Sequence, residues 1–85
     1  ARAIIRSSIN GPSGNTKQAQ LRRLLEAEGM QKIGTGAYEG LFEDAVDAMN
    51  AVKTAIDYLQ SLPRGFSLDH LWVYVDEDDF APYRR

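Results

Sequence analysis

The stretch QKIGTGAYEGLF, residues 31–42, carries three glycines in a run that otherwise alternates like a strand. Ile33, Ala37 and Leu41 fall on one face; Gly34, Gly36, Tyr38, Gly40 and Phe42 fall on the other. Three glycines weaken a single strand, because each lacks a side chain to pack and costs backbone entropy. The sequence is therefore expected to bend near Gly34-Thr35-Gly36, giving two short strands or one sharply kinked one. The expected core face is that of Ile33, Ala37 and Leu41, with Tyr38 opposite.

Two amphipathic segments flank this stretch. Before it, residues 16–28 place Ala19, Leu21, Leu24 and Leu25 on one stripe, and Gly29 sits where a left-handed residue ends a helix. Met30 is then positioned to fold back onto Leu25. After it, Ala45, Met49, Val52, Ile56 and Leu59 recur at helical spacing, widened by Val46, Ala48 and Ala55. Asp44 or Ala45 opens this helix near its start, and Pro63 and Gly65 stop it beyond Ser61. Strand patterns lie at the two ends, over residues 3–9 and 69–76.

The order β-α-β(β)-α-β predicts an α+β, ferredoxin-like sandwich: an antiparallel sheet with both helices on one face. One domain is expected over residues 1–79, with a charged tail over 80–85. Such an architecture leaves the second sheet face open.

Composition narrows the chemistry. The 85 residues contain no cysteine and one histidine, which excludes disulfides, thiolate chemistry and a His-based metal cluster within one chain. No apolar run approaches the roughly 20 residues that cross a bilayer. No signal peptide is visible, so no membrane association and a cytoplasmic location are the expectation. The net charge of −2 conceals an uneven distribution. Residues 1–35 hold six basic and two acidic residues, a balance of +4; residues 36–85 hold four basic and ten acidic, a balance of −6. An acidic whole (pI about 5.2) argues against strong nonspecific nucleic-acid binding while allowing a local basic face. Asp76, Glu77, Asp78 and Asp79 alternate sides in an extended chain, so they do not converge on one ion. Neither a metal nor a cofactor is expected.

The segment GPSGNTKQ, residues 11–18, imitates a phosphate loop. Aligned from Gly11, Lys17 falls correctly, but Thr16 stands in place of the second glycine and Gln18 in place of the magnesium-binding hydroxyl. It reads instead as a strand-to-helix connection, with Asn15 as N-cap and Gln18 as its capping-box partner.

On the open face, alternation gathers Arg2, Ile4, Arg6, Ser8, Tyr38, His70, Trp72 and Tyr74. Exposed aromatics in such number mark an interface. Two uses compete. Tyr38, Trp72 and Tyr74 could form the seam of a homodimer, the favoured use for a small acidic domain. Alternatively, the rings stack single-stranded bases while Arg2, Arg6, Arg22 and Arg23 hold RNA or DNA phosphates. Ser8, Tyr38 and His70 are the candidates for any catalytic role.

Residues 29–40, GMQKIGTGAYEG, with the preceding RRLLEAEG, resemble a motif of a family of small ferredoxin-like proteins. These are virulence-associated protein D and the second universal CRISPR-associated protein. Gly29, Met30, Lys32, Ile33, Ala37, Tyr38, Glu39 and Gly40 fit its pattern G-F-x-R-V-Q-x-S-V-[FY]-E-G in kind and spacing. The resemblance implies a homodimer. It also implies toxin-like endoribonuclease activity, with or without metal, or an architectural role on DNA as in CRISPR-associated members. The family's metal-binding aspartate near the end of the first strand is replaced here by Ser8, and its glutamine and serine by Gly34 and Gly36. The expectation is a homodimeric binding or assembly subunit related to nucleic acid and lacking the metal-dependent catalysis. The alternatives are a metal-independent ribonuclease using Ser8, Tyr38 or His70, and a protein-interaction or small-ligand module of the same fold.

Overall fold

The computed structural model describes residues 1–77; the tail at 80–85 and the acids Asp78 and Asp79 lie outside the described residues. The elements are β1 (Arg2–Asn10), α1 (Gly14–Ala27), β2 (Gln31–Gly34), β3 (Ala37–Leu41), α2 (Ala45–Gln60) and β4 (Ser67–Asp76). The four strands form one antiparallel sheet in the order β2-β3-β1-β4. This is the expected α+β, ferredoxin-like arrangement. α1 packs on β1 and β2, and α2 packs on α1, β1 and β4, leaving the opposite sheet face uncovered among the described residues.

Residues 31–42 form a hairpin, turning at Thr35-Gly36. Gly36 has φ +65°, and a Cβ there would run into the Ser7 carbonyl oxygen of β1. Its own carbonyl accepts from the Ser7 amide at 2.9 Å, so the turn is seated directly on the central strand.

The hairpin's faces are the reverse of those expected from alternation alone. Tyr38 stands opposite Ile5 and Gly40 opposite Ala3, so both belong to the helix side with the buried odd-numbered residues of β1. Leu41 stands opposite Arg2 and is 67% exposed; Ile33, at a register shift in β2, is also exposed. The physical reason is volume. The Tyr38 ring, 2% exposed, reaches across to Gln18 on α1, and the space above Gly40 is filled by Met30 and Phe42. Alternation fixes which residues share a face, but not which face meets the helices.

α1 ends as its sequence predicts. Gly29 has φ +98°, its amide donates to the Glu26 carbonyl at 3.0 Å, and the Met30 amide donates to the Leu25 carbonyl at 2.9 Å. This double bond is the Schellman closure, and Met30 and Leu25 join the same buried cluster. Its start differs from expectation. The helix opens at Gly14 with Ser13 as N-cap, and Asn15 lies inside the first turn. Gln18 is not a capping partner. Its Nε2 donates to the Ser7 carbonyl at 3.0 Å, tying helix to strand.

α2 starts where expected, at Ala45, and Asp44 caps it by accepting from the Asp47 amide at 2.9 Å. Its buried stripe is rotated from the expected one, to Ala48, Ala51, Val52, Ala55 and Leu59, while Val46 and Met49 face outward. Three alanines let the helix backbone approach its neighbours closely. Larger side chains would not fit there without separating the layers.

β4 contains a bulge. Ser8 pairs with His70 and Ile9 with Leu68, so Asp69 has no counterpart on β1. The extra residue restores Leu68, in place of a carboxylate, to the column of Ile9. It also extends the strand to Ser67, two residues before its expected start.

Two glycine substitutions should separate backbone strain from collision. Gly29→Ala adds a Cβ with only an ordinary 3.9 Å contact to Phe42, and should cost about 1 kcal/mol through its positive φ. Gly36→Ala meets both obstacles and should cost clearly more in the same denaturant titration. At Tyr38, removal of a buried ring by Tyr38→Ala should cost about 3–5 kcal/mol. The hydroxyl's bonds to Gln18 are long, at 3.4 Å, so Tyr38→Phe should cost no more than about 1.5 kcal/mol. Burial raises the Tyr38 pKa above its ordinary value, outweighing the nearby Arg22. The folded state thus resists ionisation. This contribution is complete below the unfolded pKa of about 10 and is lost as pH rises through the higher folded value. Tyr38→Phe should therefore flatten the alkaline loss of stability.

Candidate functional site

The uncovered sheet face is organised by the pairing of β1 with β4. Opposite one another stand Arg2 and Asp76, Ile4 and Tyr74, Arg6 and Trp72, and Ser8 and His70. Because Trp72 and Tyr74 are two residues apart on one strand, they project from the same face. Their rings lie nearly parallel, at 8° and 6.1 Å between centroids. Each ring carries a cation from the neighbouring strand: the Arg6 guanidinium stands 5.9 Å from the Trp72 centroid, and that of Arg2 stands 5.8 Å from Tyr74. At these distances the positive charge is attracted to the negative ring face. The Tyr74 hydroxyl donates to Asp76 Oδ2 at 3.0 Å, which fixes its outer edge. Trp72 remains 49% exposed and Tyr74 38%.

At one end this face runs into a cleft of about 830 Å³. Pairing of β1 with β3 stops at Arg6 opposite Ala37, whereas pairing with β4 continues to Asn10. The last residues of β1 therefore overhang the hairpin, and the notch is closed by the β2–β3 turn and the start of α1. Arg6, Ser8 and His70 line it from the open face, and Ser13, Asn15 and Thr16 from the helix. His70 Nδ1 lies 3.4 Å from Asp69 Oδ2.

The residues singled out from the sequence divide accordingly. Arg2, Arg6, Trp72 and Tyr74 meet on one surface, and Ser8 and His70 meet at its end. Tyr38 does not join them as a seam or catalytic residue of that surface: it is enclosed between sheet and helices, for the reason of register given above. Arg22 and Arg23 are exposed on α1, in the layer behind the sheet, and Arg22 is paired with Glu26 at 3.0 Å. They share no surface with Arg2 and Arg6. Ser13 and Thr16 in the cleft were missed, because a strand-to-helix connection rich in small polar residues reads as a plain turn; Ser7 was missed because strand alternation places it on the core face. The only signal for them was GPSGNTKQ itself.

Among the described residues, no three histidine, aspartate or glutamate side chains gather as a metal site would require. No helix among them is long and apolar enough to cross a membrane. What the surface offers is π-faces, guanidinium groups and hydroxyls, with the carboxylates of Glu39 and Asp76 on the same face. Compared with known protein families and with curated proteins, the chain matches none.

Proposed function

We propose that this protein binds single-stranded nucleic acid on its open sheet face, as a binding or assembly subunit. One observation carries the reading: two parallel, half-exposed aromatic rings, each flanked by an arginine from the adjacent strand. Bases stack on such rings regardless of sequence, since every base has a π-face, and guanidinium groups hold the intervening phosphates. The acidic balance of the chain limits this to a local, modest affinity. Among the described acids, Asp76 and Glu39 belong to the face itself: Asp76 engages the Tyr74 hydroxyl and stands opposite Arg2, and Glu39 stands opposite Ile4.

The second reading is a homodimer closed by the same face. It is favoured by the exposed Leu41 on the same face, opposite Arg2 on the far side of β1 from the aromatic pair, which adds to the apolar area. One residue tests both, because Trp72 is the only tryptophan. For a stacking platform, the wild type sediments as a monomer and its fluorescence is quenched by single-stranded RNA or DNA. For a dimer seam, the wild type sediments as a dimer. Trp72→Ala should then weaken association by about 2 kcal/mol or more, and Trp72→Glu should give a monomer with unchanged helical circular dichroism.

Salt dependence gives a separate expectation. Each phosphate contact to a single strand contributes about 0.7 to the slope of log affinity against log salt. Arg2→Gln and Arg6→Gln should each flatten the slope by about that amount, whereas Arg22→Gln and Arg23→Gln should leave it unchanged. Equal effects at all four positions would move the binding surface off the sheet face.

A further inference from the structure

We infer that the cleft at the end of β1 is a phosphate subsite, taking a phosphate group of the strand whose bases lie on Trp72 and Tyr74. The inference rests on the reading of the open face given above. Among the described residues, which include ten acids, none of the carboxylates lines the cleft. Its walls carry hydroxyls, amides and Arg6, the side-chain types that hold phosphate oxygens.

Two features aim the cleft at an oxyanion. The first is the start of α1, a fourteen-residue helix whose first turn contains no acid. Its N-terminal amides carry partial positive charge. The N-cap carbonyl of Ser13 accepts from the Thr16 and Lys17 amides at 3.0 and 3.2 Å, while its side chain makes no capping bond and is left for another acceptor. The second is Ser7. It belongs to the cleft wall, is 4% exposed, and its buried Oγ has no hydrogen-bond partner. A buried hydroxyl without a partner destabilises the fold, and a phosphate oxygen seated in the notch supplies the acceptor it lacks.

The site is not a magnesium-nucleotide loop. Gln18 stands where the metal-binding hydroxyl would be and is engaged with the Ser7 carbonyl, and the Lys17 ammonium lies 5.1 Å from the Phe66 centroid, outside the cleft wall. Arg6 belongs both to the cleft and to the Trp72 stack, which makes cleft and platform one continuous track.

The test is an amide chemical-shift titration of the full chain with inorganic phosphate, and with a short oligonucleotide with and without a 5′-phosphate. Tryptophan fluorescence is read in parallel. Inorganic phosphate should shift the amides of Ser7 and of residues 13–16 without quenching Trp72, and either strand should do both. A tighter response to the phosphorylated strand assigns the terminal group, and an equal one an internal phosphate. Ser7→Ala and Ser13→Ala should each weaken phosphate binding roughly tenfold, the scale of one lost hydrogen bond to a charged group. Shifts with inorganic phosphate but with neither strand would overturn the strand assignment. Quenching of Trp72 by a strand with the cleft amides unmoved would overturn the cleft and leave the platform standing. Cleft shifts without quenching would do the reverse. Unaltered phosphate affinity in both serine variants would overturn the inference outright.

Discussion

Everything in this molecule is referred to the antiparallel pairing of β1 with both its neighbours. A strand has two faces and a period of two, so once Ile5 is fixed against the helices, every other side chain on three strands is assigned. Tyr38 and Val73 flank Ile5 across the sheet. One step along β1, Arg6 must face the other way and take Trp72 with it. The buried core and the exposed aromatic row are consequences of one register, and a slip of one residue would exchange them.

Much of this was legible in the residues. The Schellman ending at Gly29, the start of α2 at Ala45, the turn between Gly34 and Gly36 and the alternation of Leu71 through Tyr74 each depend on contacts within a few positions of chain, so local pattern suffices. The failures share the opposite property. Which face of the hairpin meets the helices depends on whether Tyr38 finds room beside α1, and that room is made by Gly40, Met30 and Phe42 together. The buried side of α2 depends on how closely it can approach its neighbours, so three alanines outrank the bulkier Met49 and Val46. Gln18 looks like a cap because of its spacing, yet a carbonyl eleven residues earlier in the chain claims it. Long-range packing decided each case.

The candidate surface was half legible for the same reason. Arg6, Trp72 and Tyr74 lie on β1 and β4, whose alternation survives in the fold, so their meeting follows from the pattern. The cleft does not follow from any pattern. It exists because the hairpin is shorter than the strand it pairs with, a mismatch of lengths that no single segment records. The basic residues of α1, grouped with Arg2 and Arg6 by charge alone, are separated from them by the thickness of the sheet.

The bulge at Asp69 bears on how this small protein stays out of trouble. Among the described residues β4 is an outer strand of the sheet, long and rich in β-branched and aromatic residues, and such an edge offers its backbone groups to any passing chain. Bulges bend an edge and increase its local twist, and the inserted residue here adds a carboxylate to that outer strand. A residue that at first sight only corrects the alternation of Leu68 thus also guards the sheet against growing by the addition of further chains.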